Sequence, residues 1–595
     1  MEKSYHCGAR SSCVEKLNSS PYEPNGCQEE CLEEKTVETK AKFVENTLKE
    51  FAHEGKATAG TNLSNYRISD KWWSHDVTAQ LLGDSNPATV NLDCVYQTAI
   101  AHSTQVKVFG NIPIIREAGI DEARGAFDTE AFSTMKLNRI HEPVGSRLEA
   151  GGNQPYFSER EWTMETGVRK QLRTGAQASL TQGNARTTNN SQFFTPSDQG
   201  KGRLSLTLMQ PLLRGAGIRY NESVIRIAKL DHQIGTQEFI RQIETHLTKV
   251  NRSFWALYLA RAIYVEKKRI VGETEATVQK IRGRGNLDTM ASQRARAESA
   301  LASRQAELVR SELAIKNAES RLRALINDPG LIERGIGELI PCDSPITSPV
   351  CTSFEDAAKV AIACRPEIRQ AEHNLQASNI REQMARQDKL PELNLFGETS
   401  ISDLHGSGDW EGAMRSEFND SEPNWAVGVT VSQSIERRLP RAQHLRSEIE
   451  LRQQHQRLQS TMETVQLEVR VAYREVTTAF PDMVAKHKAA LAAEKDLEVM
   501  KRRRSVDGDG GANLASVYLE NLIEAQGRLL TAREEFLKSL IVYNVALTNF
   551  ERAKGTLIRS EGFDFEKGVD DCGLPELRLA KAGSKGLIAT PVHFD

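Results

Sequence analysis

The chain has 595 residues, 39% of them hydrophobic, 26% charged and only 6% aromatic, with 19 prolines. Its 77 Lys+Arg against 80 Asp+Glu leave a formal net charge of −3, which carries no electrostatic footprint of a nucleic-acid binder. No run of about 18 apolar residues occurs, which excludes a transmembrane helix but not a transmembrane barrel, whose strands alternate.

Residues 1–60 are polar and rich in Glu, Lys, Ser and Cys, the composition of a tail rather than a core. Four of the nine cysteines lie there (Cys7, Cys13, Cys27 and Cys31), without paired C-x2-C spacing or a nearby His pair, so they read as solvated thiols and not as a zinc site. No apolar stretch follows Met1, so an exported protein would imply a removed leader or a misassigned start.

Beyond the tail the same order of elements occurs twice. Residues 61–330 and 351–558 form the expected repeats, with 331–350 as linker and 559–595 as a C-terminal tail. Each repeat opens on a helical stretch (92–124 and 354–387). Alternating strands around a polar loop, a very long helix, a Gly-rich turn and a second long helix follow. Leu206-x-Leu208-x-Gln210 matches Val429-x-Val431-x-Gln433 at an offset of 223, and Ala297, Leu301, Leu308, Ala318 and Leu322 match Ala525, Leu529, Phe536, Ala546 and Phe550 at 228. Two such close offsets over so long a stretch mark an internal duplication.

Across 162–181 polar residues alternate with Trp162, Met164, Val168, Leu172, Ala176 and Leu180, and residues 173–176 make a plausible turn. Leu204, Leu206 and Leu208 alternate with Ser205 and Thr207, as do Trp425, Val427, Val429 and Val431 with smaller and polar neighbours. Such strands suit either a barrel in lipid or a half-buried sheet of a soluble sandwich. The polar segment 138–202 is much longer than its counterpart 402–424, and an extra hairpin is expected within it.

The helices carry coiled-coil seams. Leu522, Ala525, Leu529, Ala532, Phe536, Ser539, Tyr543, Ala546, Phe550, Ala553 and Leu557 are spaced 3,4,3,4, and Leu451–Val476 and Ile243–Leu257 repeat the pattern. No proline interrupts 216–282, whereas Phe480-Pro481 predicts a break or kink in the second long helix. Helices of this length cannot bury themselves in one round core and must pack laterally on similar neighbours.

With Leu208-Met209-Gln210-Pro211-Leu212-Leu213-Arg214-Gly215 entering the first long helix and Arg365-Pro366-Glu367-Ile368 opening the second repeat, the chain resembles the TolC family of outer-membrane efflux proteins. Leu390-Pro391-Glu392-Leu393, Glu524-Ala525-Gln526 and Gly555-Thr556-Leu557 extend the likeness over about 90–558. The resemblance implies a mainly α fold with a β-barrel part: a duplicated coiled-coil tunnel in the periplasm and outer-membrane strands, completed as a homotrimer. It further implies an exit duct for small molecules or polypeptides, working with a periplasmic adaptor and an inner-membrane pump.

Catalytic groups, cofactors, metals and nucleic acid form no part of this expectation. Gly283-Arg284-Gly285 and Gly508-Asp509-Gly510-Gly511 follow helices, not strands, so they read as helix-to-helix turns and not as phosphate loops. By the resemblance these turns are the tip that meets the adaptor, and the carry-over falls on Gly285, Asn286, Leu287, Gly511, Asn513 and Leu514. The family's acidic constriction aligns with Glu524 and with Asn521, which is not acidic; Glu520 is the neighbouring candidate for the pore entrance. The bland alternative for both acids is a solvated helix face. Lys501-Arg502-Arg503-Arg504 reads as a solvated tip or adaptor surface. A soluble, elongated coiled-coil scaffold remains the second functional reading.

Overall fold

Two pairs of helices of matching length declare the duplication. Helices α1 (Leu92–His102) and α2 (Thr104–Gly125) have 11 and 22 residues; their counterparts, labelled α5 (Phe354–Cys364) and α6 (Pro366–Gln387) in chain order, have the same 11 and 22. Both pairs are capped alike: Asn91 accepts from the Cys94 amide at 2.7 Å and Ser353 from the Asp356 amide at 3.1 Å. The expected single helices 92–124 and 354–387 are therefore each broken once. At the break Ser103 (φ −62°, ψ 120°) and Arg365 (φ −63°, ψ 128°) are extended; Pro366 excludes the helical conformation from the residue before it, and Ser103 adopts the same angles without a proline.

The coordinates are a computed structural model, which describes residues 68, 72–83, 86–145, 155–283, 291–350, 352–419, 422–506, 512–569 and 575–581. The chain divides into two units, Met1–Asn65 and Tyr66–Asp595, and every described residue belongs to the second. The expected tail 1–60 lies outside the described residues.

The long helices are α3 (Ser223–Gly283), α4 (Ala291–Ile326), α8 (Arg438–Val506) and α9 (Ala512–Lys554). The 61 residues of α3 span about 90 Å at 1.5 Å per residue. Contacts pair α3 with α4 and α8 with α9; α2 lies on α3, while α6 touches both α3 and α8. The seams face these contacts: Ile243, Leu247, Val250, Phe254 and Leu257 are fully buried, as are Leu458, Met462 and Val469. On α9 every expected seam residue is buried except Ala532, which is half-exposed on a groove beside Glu524, Arg528 and Glu535. The predicted break at Pro481 does not occur: α8 continues through it. The hydrogen bond that proline cannot donate falls on the exposed carbonyl side at Thr477, where water can take its place.

Six antiparallel strands form one sheet in the order β2-β3-β4-β5-β7-β8: Thr129–Pro143, Tyr156–Gln171, Gln177–Asn189, Asp198–Pro211, Glu392–Gly406 and Asn424–Ser432. The first repeat supplies four of them and the second two. The expected extra hairpin is thus β3–β4, and its turn falls at 172–176, as the alternation indicated. The remaining strands lie apart from this sheet. In the stretch expected as linker, β6 (Glu338–Pro341) is buried and pairs in parallel with β1 (Pro87–Val90). In the expected C-terminal tail, β9 (Phe563–Val569) and β10 (Pro575–Lys581) form a hairpin.

Candidate functional site

The sheet separates polarity by face, because residues paired across antiparallel strands point the same way. One face carries the aligned row Ala131–Val168–Leu180–Leu206–Thr399–Trp425 and, one register on, Leu208–Gly397–Val427. The opposite face carries Glu130–Arg169–Ser179–Thr207–Glu398–Ala426. Arg169 binds Glu130 through two bonds of 2.8 Å, and Arg203 reaches Glu398 at 2.9 Å, so charge on this face is cross-linked in a hydrated layer.

The apolar face is open where it is not covered by chain. Trp425, Val427 and Val431 on β8 are 78%, 69% and 67% exposed, far more than a monomeric surface leaves in one band. Such a band beside a polar opposite face has the pattern of a membrane barrel's lipid-facing girdle, which a half-buried soluble sheet does not expose. Leu206 and Val429 stand in this band as expected. Trp162 does not: its ring packs against Trp410 at 5.4 Å, on the short helix α7 (Trp410–Ser416). That helix covers the polar far end of the same face. Gly200 and Gly202 make room for it, since a Cβ on Gly200 would lie 2.3 Å from the Asp409 backbone and one on Gly202 2.9 Å from the Met414 nitrogen.

Where strands turn into helices, the family-like motifs touch one another. The Leu212 amide donates to the Leu393 carbonyl at 2.8 Å and that of Arg214 to the Pro391 carbonyl at 3.3 Å, joining the exit of β5 to the entry of β7. The turn of the β3–β4 hairpin docks on the first elbow. Gly217 N–H donates to Thr174 O at 3.0 Å, and Arg173 pairs with Glu222 at 3.2 Å. Gly555 (φ +68°) lies so close to the break before Pro366 that a Cβ would sit 3.1 Å from the Arg365 backbone.

At the other end of the long helices stand the entrance candidates. Glu520 pairs with Arg296 of α4 at 3.2 Å, and Glu524 pairs with Arg528 at 3.0 Å, Arg528 also binding Asp496 at 2.9 Å. Both acids are exposed, and both already have a cationic partner within the protomer. Arg304 adds bonds to Gln526 and to the Ile523 carbonyl, at 2.7 and 2.9 Å, and Lys501 binds Glu273 at 2.9 Å, so the two helical hairpins are laced together near this end. Of the tip candidates, Gly285, Asn286, Leu287 and Gly511 lie outside the described residues, as do Arg284 and residues 508–510, while Gly283 ends α3. Asn513 and Leu514 belong to the first turn of α9, and their side chains are not described.

Sequence reasoning missed the buried ion pairs that brace the middle of the helices. Arg261 donates to Glu338 at 2.5 Å and Arg533 to Glu266 at 2.9 Å, with all four side chains buried. Trp72 completes the second pair by donating to Glu266 at 3.0 Å while the Arg533 guanidinium lies over its ring. A signal existed for Arg261: it stands four residues after Leu257, on the apolar seam. Among the described residues no group of His, Cys, Asp and Glu is arranged to hold a metal ion, and no helix is long and apolar enough to cross a membrane.

The fold thus joins a two-faced sheet to laterally packed long helices. The profile of the family described as outer membrane efflux protein matches residues 357–508. A solved membrane protein of Pseudomonas aeruginosa shares the fold with a TM-score of 0.56 at 17% identity, over 78% of this chain and 93% of its own. The outer membrane protein VceC of Vibrio cholerae does so with 0.55 at 13%, over 78% and 96%, and the CmeC outer membrane channel of Campylobacter jejuni with 0.56 at 14%, over 84% and 97%. No curated protein sequence matches the chain. The chain thus has the fold of these solved outer membrane channels.

Proposed function

We propose that the chain acts as the trimeric exit duct of a tripartite efflux or type I secretion assembly, carrying small molecules or polypeptides across the periplasm and outer membrane. The observation that carries this reading is the open sheet: β2 and β8 end it, and neither has a second strand partner among the described residues. Lipid offers no hydrogen bonds to an open edge, so the edges require further copies of the chain. Exposed apolar residues on the long helices, Val309 and Leu313 on α4 and Leu467 and Val471 on α8, supply lateral contacts of the kind a ring of helices needs.

In this reading Glu520 and Glu524 line the pore entrance. Gly285, Asn286, Leu287, Gly511, Asn513 and Leu514 form the tip that meets a periplasmic adaptor, which in turn holds an inner-membrane pump. A soluble scaffold is disfavoured by the exposed band on β2 and β8. The test is complementation in a host lacking the gene. The parent should restore low accumulation of exported dyes or the lost secreted polypeptide, whereas a variant lacking residues 284–290 should reach the outer membrane and restore neither. Equal export with and without the tip segment would refute the docking role.

A further inference from the structure

We infer that the inserted β3–β4 hairpin is part of the membrane wall, so that three copies close an 18-stranded barrel instead of the 12-stranded one their duplicated frame would build. The inference rests on the trimeric-duct reading and adds to it the size of the outlet.

Four observations carry it. The second repeat contributes only β7 and β8, so by the duplication two strands per repeat are the basic plan and β3–β4 is the addition. The added strands lie inside the sheet, not on its rim: β3 pairs with β2 over Thr129–Pro143, and β4 pairs with β5 over 12 residue pairs. They also share its two-faced pattern. Val168 and Leu180 continue the apolar row from Ala131 to Leu206, while Glu159, Glu161 and Glu165 stand on the polar face. Finally, the periplasmic turn of the hairpin is fixed to the strand–helix elbow by Thr174, Arg173 and Gly175, and α7 lies on the face away from the polar side, where it leaves the bore open.

Closure follows from parity. A six-strand meander begins and ends with strands of opposite direction, so β8 of one copy meets β2 of the next antiparallel, the arrangement every other pair in the sheet already has. The large exposed apolar residues at these edges, Met135 and Leu137 on β2 and Val427 and Val429 on β8, then join one girdle. At about 4.8 Å between strands and about 40° of tilt, 18 strands enclose about 36 Å between backbones and 12 enclose about 24 Å. The outlet is therefore about 1.5-fold wider than the basic plan allows, and it is lined in its added part by carboxylates that favour cationic over anionic solutes.

The experiment is electron cryomicroscopy of the full-length protein in lipid nanodiscs, beside a variant with residues 156–189 excised. Because β2 ends and β5 begins at the same rim, excision leaves a four-strand meander with an intact outer loop. The parent should show 18 wall strands, and the excised variant 12 with a barrel about 1.5-fold narrower. The parent count decides alone if the excised variant does not assemble. A parent trimer with 12 wall strands and β3–β4 folded off the wall would overturn the inference and leave the duct reading standing. A parent that forms no closed trimer would overturn both.

Discussion

Gly175 and Gly215 are in backbone contact: a Cβ on Gly175, whose φ is +92°, would lie 2.6 Å from the Gly215 carbonyl oxygen. Through this contact the inserted hairpin is held to the point where the first repeat passes from β5 towards the long helix α3. Neither glycine is replaceable cheaply, since Gly215 also has a positive φ of +75°. Gly175→Val is expected to lower stability by about 1–3 kcal/mol and to reduce the heat-dissociation temperature of the assembled protein. Gly272, in the last third of α3 with open space around its Cα, is the control: Gly272→Ala should leave that temperature unchanged or raise it.

The buried pair Arg261–Glu338 predicts a second outcome. Glu338 also accepts from the amides of Leu81 and Leu82 at 3.1 and 3.3 Å, so it ties the segment before β1 to α3. Arg261→Ala leaves a buried carboxylate without its cation and should cost about 3–5 kcal/mol. Arg261→Met with Glu338→Gln, which removes both charges, should recover much of that loss in urea unfolding. An Arg261→Ala variant as stable as the parent would show the pair to be dispensable.

Glu244 gives a pH dependence. Burial, and next the nearby Glu367, raise it from 4.5 to about 7, against the opposing pull of Arg365 and Arg552. In the unfolded chain it ionises near 4.5, so between these values the folded form holds a proton the unfolded form has lost. Stability from this group is therefore present at low pH and is lost as pH rises to about 7, a fall of about 2–4 kcal/mol. Glu244→Gln should flatten urea midpoints measured from pH 5 to pH 8 and be more stable than the parent at pH 8. Parallel profiles for the two proteins would contradict this.

The seam predicts a contrast within α9. Ala546→Trp places a large ring at a position only 2% exposed and should cost about 1–3 kcal/mol or more. Glu535→Trp, on the exposed side, should leave the protomer unaffected. Ala532, half-exposed on the groove, should behave like Glu535 in the protomer and like Ala546 if a neighbouring copy fills that groove, a difference read by comparing protomer unfolding with trimer yield.

The entrance acids predict a graded effect on ion flow. With Arg528 already beside it, Glu524→Gln should weaken divalent-cation block and lower cation selectivity in planar bilayers, and Glu520→Gln should release α4 from α9 near the tip by freeing Arg296. Glu448, exposed on the other half of α8, serves as the control. Identical block and selectivity in Glu524→Gln, Glu448→Gln and parent would make Glu524 an ordinary solvated acid.

What the sequence revealed follows the range of each interaction. Seam positions such as Phe254 and Phe536 were legible because period and burial are local properties of one helix. The turn at 172–176 was legible because Gly175 interrupts a strict alternation. The break at Ser103 was not, because no proline follows it and only the matching break at Arg365 reveals its role. At Pro481 the sequence alone does not choose between a break and a kink, because the cost of a helical proline depends on whether water reaches the carbonyl it leaves free. Arg261 and Glu338 are 77 positions apart, so their pairing needed the fold. The glycines at 200 and 202 look like defects in a strand until α7 is seen lying on them.

In the proposed function, copies of this chain enclose a water-filled path through the outer membrane. Single-channel recording of the protein purified from outer membranes, at a mass of three times 66.3 kDa, tests it most directly. The account predicts discrete conductance steps, larger for the parent than for the variant lacking residues 156–189. A silent bilayer, with the same preparation shown to be folded, trimeric and inserted, would contradict it.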